Sequence, residues 1–226
     1  MTGALAIFAK TPGLSPIKTR LAVDIGIPKA EQFYLHSVQC LEALALRVVE
    51  ATGGDLVPYW AVGEENGLDC PLWQNMDRLW TGAGGLGERL DHVYSSLLKK
   101  HDHVILIGTD SPQLQPDILI AAHQHLRTKT GHVIGPAEDG GYYLYGGHEP
   151  LPHDLWLSVP YSVSTTCNIF VEKLTSHGRV HFLQMDFDVD MSDDLRKLLK
   201  RKDDMKTKPQ RELLAWLASI EENAQC

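Results

Sequence analysis

Apolar and polar positions follow two different periods along this chain, and the changes of period mark its elements. Residues 4–9 (ALAIFA), 56–62 (LVPYWAV) and 104–107 (VILI) are apolar runs too short for helices. Runs without polar interruption suit strands buried on both faces of a mostly parallel sheet. Pro58 is tolerated only near a strand start or on an edge. Between these runs the period lengthens to that of a helix. Tyr34, Val38, Leu41, Leu44, Ala45 and Val48 recur at helical spacing within 30–51, and Gly53-Gly54 ends the pattern. That face is read as core, not as a binding groove. Leu86, Leu90, Val93, Tyr94 and Leu97 define a second helix, and 115–127 a third with Pro116 in its first turn. Residues 63–77 are polar and irregular, and 78–80 are a short strand.

In the second half, 132–136 (HVIGP) is a short strand, and an aromatic-rich strand begins near Tyr142. A helix is expected over 165–176 with Ser164 as its N-cap. A late strand covers 179–186, and another helix starts at Ser192. Residues 197–208 are strongly basic, read as a solvated helix and its connection. An amphipathic helix closes the chain over 209–220, with 221–226 frayed. Strands alternating with helices predict an α/β fold: a mostly parallel, twisted sheet with helices on both faces.

Composition narrows the function classes. The 226 residues favour one globular domain spanning 1–226. A net charge of −8 argues against nucleic-acid binding, which needs a basic surface to displace counterions. Phosphates can still bind where the few Lys and Arg gather. Cys40, Cys70, Cys167 and Cys226 form no CxxC pair, so reduced thiols in a cytoplasmic protein are expected. His123 and His125 lie two apart on a helix and do not share a face, which argues against zinc. No leader is expected before Lys10, and no apolar run approaches a membrane span.

Candidate chemistry collects where strands end. The run 104–107 stops at Gly108-Thr109-Asp110-Ser111-Pro112, leaving Asp110 at the carboxyl end of the central strand. Ligands of open α/β sheets bind beyond those ends. A carboxylate flanked by two hydroxyls suits a divalent cation held jointly with substrate phosphates, or it caps the helix near Pro116. The loop after the first strand carries Lys10, Lys18 and Arg20 among two prolines and a glycine, where backbone N–H groups and cations can meet phosphates. It matches neither GxxxxGK[ST] nor GxGxxG. Gly85 and Gly87 could let backbone approach a nucleobase or ribose, or serve only as a connection, and Arg89 is placed for a pyrophosphate or an acid. Asp139, Gly140 and Gly141 precede Tyr142 and Tyr143, a combination suited to sugar hydroxyls and ring stacking, or simply to a tight turn. Asp188 and Asp190 alternate toward one side of an extended segment, so both could face the site. Among the acids that follow, Asp193 and Asp194 suit capping of the next helix.

Taken in order, FAKTPGLSPIKTRLA, TGAGGLGERL, ILIGTDSPQL, EDGGYYLYG and FDVDMSDDL resemble bacterial glycosyltransferase-like proteins of the GT-A, nucleotide-diphospho-sugar transferase fold. That family includes proteins labelled arsenosugar biosynthesis glycosyltransferases or radical-SAM-associated transferases. The likeness runs from Ala6 to about Leu195; more distantly the chain is similar to 2-phospholactate and molybdenum-cofactor guanylyltransferases. The resemblance implies that Lys10, Lys18 and Arg20 hold nucleotide phosphates and that Asp110 binds Mg²⁺ or Mn²⁺. It implies that Asp139, Gly140 and Gly141 border the sugar or acceptor, with Asp188 or Asp190 a second metal ligand or part of the acceptor site. Thr109-Asp110 departs from a full DxD motif, and Tyr161-Ser162 stands where Trp-Ser is expected. The implied reaction moves a sugar from a nucleotide-diphosphate donor to an acceptor. Nucleotidyl transfer from a triphosphate and ligand binding without catalysis remain the alternatives.

Overall fold

The computed structural model describes residues 2–128 and 130–224. The expected fraying at 225–226, and Cys226 itself, lie outside the described residues. Seven strands form one sheet: β1 (Gly3–Ala9), β2 (Leu56–Val62), β3 (Asp77–Trp80), β4 (His103–Ile107), β5 (His132–Pro136), β6 (Tyr142–Gly147) and β7 (Val180–Phe182). Their order is β3-β2-β1-β4-β6-β5-β7, and all run parallel except β6, which pairs antiparallel with both β4 and β5. The central pair β1 and β4 is in register from Gly3 opposite His103 to Ile7 opposite Ile107, so both leave the sheet at the same edge.

The helices are α1 (Thr19–Ile25), α2 (Ile27–Ala51), α3 (Leu86–Leu98), α4 (Pro116–Thr128), α5 (His153–Leu157), α6 (Thr166–Leu174), α7 (Ser192–Lys200) and α8 (Lys208–Ala224). Two cores separate according to the pleat. Leu5, Ile7, Ile105 and Ile107 point into the layer built by α2, α4 and α8; Ala4, Ala6, Val104 and Leu106 point into the layer built by α3, α5 and α6. Successive strand side chains face opposite ways, so an uninterrupted apolar run is what a strand covered on both faces requires. The α/β architecture expected from the sequence, a mostly parallel sheet with helices on both faces, is the one observed.

Several local expectations change. The loop after β1 is shorter than expected, because Thr19 and Arg20 already belong to α1. Residues 63–77 are not wholly irregular: two 3₁₀ turns bring Trp73 into the core against Trp60, with ring centroids 5.0 Å apart. The late strand shrinks to Val180–Phe182 plus an isolated bridge between Ala137 and Asp186, since only that stretch finds a partner on β5. Ser164 does not cap α6. Thr165 holds that position without a side-chain bond, and the Thr166 hydroxyl bonds the Pro160 and Val163 carbonyls instead. At α7 the capping falls to Asp194, which accepts from the N–H groups of Asp190 and Met191. The closing helix α8 runs on to Ala224, past its expected end at 220. Among the described residues no helix is long and apolar enough to cross a membrane.

Candidate functional site

A cavity of about 500 Å³ opens at the carboxyl ends of β1, β4 and β5, where the parallel strands release their loops. Lys10 and Lys18 reach it from the β1–α1 connection, Arg20 from the first turn of α1, and Asp110 from the end of β4. Asp139 and Gly141 come from the β5–β6 turn, and Asp188 and Asp190 from the segment before α7. These groups are separated by up to 180 positions in sequence, and sheet order is what brings them together.

The segment carrying Asp188 and Asp190 is laid along the end of β4. Val189 N–H donates to the Asp110 carbonyl at 2.9 Å, and Gln113 Nε2 donates to the Phe187 carbonyl at 2.6 Å. Asp188 accepts from the Ser111 hydroxyl. Burial first, then the neighbouring Asp110 charge, pushes the Asp188 carboxyl up to about 7, against the pull of the Ser111 hydrogen bond. Lys18 joins the two sides. Its Nζ lies 2.6 Å from Asp110 Oδ1, 3.1 Å from Asp190 Oδ1 and 2.5 Å from the Val189 carbonyl. Burial draws the Lys18 ammonium down, but Asp110 and then Asp190 outweigh it and hold it charged, above the usual lysine range. Arg20 is mostly exposed and donates from Nη1 to Asp190 Oδ2 at 3.4 Å.

The β1–α1 connection is secured by residues that the sequence pattern reads as core or loop. Tyr34, on the apolar face of α2, accepts from Lys10 N–H and donates to the Lys10 carbonyl, both at 2.7 Å. Glu64 accepts from Thr11 N–H at 2.7 Å, and Trp73 Nε1 donates to the Thr11 hydroxyl at 3.3 Å. Ser37, three residues beyond Tyr34, donates to the Thr109 carbonyl and so ties α2 to the other rim. The legible signal is a pair of polar oxygens at helical spacing on an otherwise apolar face.

Other expected site residues are placed differently. Arg89 lines the cavity, but its guanidinium donates to the Gly84 and Gly63 carbonyls and to the Thr81 hydroxyl at 2.8–3.1 Å, stapling the glycine-rich loop. Gly85 and Gly87 are not among the lining residues. Gly85 caps α3, with its N–H bonded to Glu88, and a side chain at Gly87 would strike the Trp156 carbonyl at 2.7 Å. Gly140 is also outside the lining: with φ +88 it packs against Ser164, whose carbonyl oxygen would lie 1.9 Å from an added Cβ. Tyr142 and Tyr143 both line the cavity, and each also has a partner within the protein. Tyr142 stacks on Phe170, and the Tyr143 hydroxyl donates to the Gln184 carbonyl. The Asp110 carboxylate lines the cavity and pairs with Lys18.

Asp110, Asp188 and Asp190 all line the cavity and are hard oxygen donors, the donor type that a divalent cation takes. Among the described residues, however, no three His, Cys, Asp or Glu side chains form a group that could hold a metal ion. In this arrangement the point between Asp110 and Asp190 belongs to the Lys18 ammonium.

The parallel sheet with one reversed strand, and a cleft beyond its carboxyl edge, define the nucleotide-diphospho-sugar transferase fold. Within it, the chain belongs to the family described as an uncharacterized protein conserved in bacteria (DUF2064), which matches residues 45–163, more than half of the chain. Among solved structures, a candidate nucleotide-diphospho-sugar transferase from Desulfovibrio desulfuricans G20 is 26% identical, with a TM-score of 0.81 over 98% of this chain and 96% of that one. A CMP:2-keto-3-deoxy-manno-octonic acid synthetase complexed with CTP is 15% identical, with a TM-score of 0.54 over 88% and 97% of the two chains. Glucosyl-3-phosphoglycerate synthase from Mycobacterium tuberculosis, in complex with Mn²⁺, UDP and phosphoglyceric acid, is 10% identical, with a TM-score of 0.53 over 89% and 75%. The last two likenesses concern the fold alone. No curated protein matches the sequence.

Proposed function

We propose that this protein is a transferase that takes a nucleoside-diphosphate sugar in the cleft and moves the sugar to an acceptor. One juxtaposition carries the reading: Lys10 and Lys18 from the β1–α1 connection and Arg20 from the first turn of α1 face Asp110, Asp188 and Asp190 across the carboxyl edge of the sheet. The cavity, at about 500 Å³, lies within the range of small-molecule sites. The near full-length likeness to the Desulfovibrio protein supports a nucleotide-sugar donor.

The work of the residues follows from charge. As the sugar leaves, negative charge grows on the departing diphosphate, and Lys10, Lys18 and Arg20 line the cleft to offset it, Lys18 by exchanging its Asp110 and Asp190 partners for phosphate oxygens. The Tyr34 clamp keeps the Lys10 backbone from drifting. Asp139, whose carboxylate is fixed by Gly141 N–H at 2.8 Å, borders the sugar or acceptor. A divalent cation, when bound, would be held by Asp110 with Asp188 or Asp190 and would supply further stabilisation of the leaving diphosphate.

Nucleotidyl transfer is the second reading. It is favoured by the concentration of three cations between the end of β1 and the first turn of α1, where a triphosphate would meet more positive charge than a diphosphate needs. Thermal-shift titrations with UDP-sugars, GDP-sugars, GTP and CTP, each with and without Mn²⁺, separate the two. Stabilisation by nucleotide sugars, followed by release of free nucleoside diphosphate, is the expected result; stabilisation by triphosphates alone would reject sugar transfer.

A further inference from the structure

Lys18 is unusual in three respects at once. Its backbone sits in the left-handed region, φ 46 and ψ 45, which non-glycine residues rarely adopt. Its side chain is only 4% exposed although it carries a charge. The hydrogen-bond and ion-pair partners of its Nζ are oxygens of the opposite wall: Asp110 Oδ1, Asp190 Oδ1 and the Val189 carbonyl. An ammonium ringed by two carboxylates and a carbonyl has the surroundings that a bound cation would have. The strained backbone is what lets a residue at the entry to α1 reach that point. Meanwhile the Asp110 and Asp190 side chains stay 45% and 37% exposed, so both remain open to the cavity.

We propose that Lys18 is an internal stand-in for the cation, occupying the place between Asp110 and Asp190 until a diphosphate offers its ammonium another partner. Cation entry and phosphate binding are then coupled. A divalent ion alone must meet a positive charge at the point it needs. Once phosphate oxygens reach the cleft, Lys18 can turn toward them and free both carboxylates. Such coupling is reciprocal, so each ligand raises the affinity for the other. The inference rests on the cleft taking a diphosphate, and not on whether sugar or nucleotidyl transfer follows.

The sign of one measurement decides it. If Lys18 only ties two walls together, removing it lets Asp110 and Asp190 separate, and affinity for a divalent ion falls or stays the same. If it holds the cation's place, removing it exposes two carboxylates at that point, and the affinity rises. Mn²⁺ alone is titrated into the full chain near neutral pH, and the loss of its free-ion EPR signal is followed. Lys18→Met is expected to bind Mn²⁺ at least about tenfold more tightly than the native chain, because a charge a few ångströms away strongly opposes a divalent ion. Adding Asp110→Asn to that variant is expected to return binding to the native level or below. Lys18→Met binding no tighter than the native chain, or tight binding that survives loss of Asp110, overturns the proposal. Should Lys18→Met fail to fold by circular dichroism, Lys18→Gln, which drops the charge and keeps hydrogen-bond donors, is judged by the same criterion. Because Mn²⁺ is the only probe, a negative result here is distinct from failure of nucleotide sugars to bind.

Discussion

Replacing Tyr34 by Phe tests whether the phosphate-facing loop is built in advance or shaped by its ligand. The change keeps the buried ring and removes one oxygen. That oxygen makes two 2.7 Å hydrogen bonds to one residue, accepting from Lys10 N–H and donating to the Lys10 carbonyl. A net hydrogen bond contributes about 0.5–1.5 kcal/mol, so the pair sets a ceiling of roughly 3 kcal/mol. Lys10 is exposed, and water can recover part of the loss on its side. An expected destabilisation of about 1.5 kcal/mol follows. For a chain of this length that corresponds to a fall in Tm of roughly 3–6 °C. Lys10 also lines the cavity, so freeing its backbone should weaken binding of the preferred nucleotide about fivefold, an ordering cost near 1 kcal/mol. Urea unfolding followed by tryptophan fluorescence gives the first number and isothermal titration calorimetry the second. A loss below about 0.5 kcal/mol with unchanged nucleotide affinity would show that the clamp neither stabilises the loop nor orders it for ligand.

Other consequences can be checked independently. Gly140→Ala should cost at least about 3 kcal/mol, because φ +88 and the Ser164 carbonyl 1.9 Å from the new Cβ leave no room without backbone movement; a native-like unfolding midpoint would contradict this. Asp110→Asn should weaken Mn²⁺-dependent nucleotide binding at least about tenfold, measured calorimetrically with and without EDTA, whereas unchanged binding would favour a ligand site elsewhere. Stability should also fall in acid. His103 bonds His123 at 2.9 Å within the core, and burial, then His123, pushes its pKa down to about 4. The unfolded chain binds that proton more readily, so the contribution is complete above about pH 6.5 and is lost as pH drops toward 4, by at most about 3 kcal/mol. Urea midpoints at neutral pH and near pH 4.5 should therefore separate further in the native chain than in His103→Asn; equal separations would remove His103 as the cause.

Much of this protein is written in local patterns. The uninterrupted apolar runs at 4–9, 56–62 and 104–107 specify strands covered on both faces, and the spacing of Tyr34, Val38, Leu41 and Leu44 specifies α2. Asp110 at a strand end and three cations after β1 are visible as candidates, because a strand's carboxyl edge follows from chain direction alone. What stayed out of reach depends on distant partners. The reversal of β6 and the shrinking of the 179–186 strand are settled by pairing across the sheet, which no local period encodes. Gly87 and Gly140 read equally as ligand-contacting glycines or as parts of a connection and a tight turn, yet an added side chain at either would meet a carbonyl of a remote segment, Trp156 or Ser164. Lys18 reads as one phosphate-binding cation among three. Only the laying of 187–190 along the end of β4 surrounds its ammonium with Asp110 and Asp190, since charges 80 to 172 positions apart interact by position in space and not along the chain.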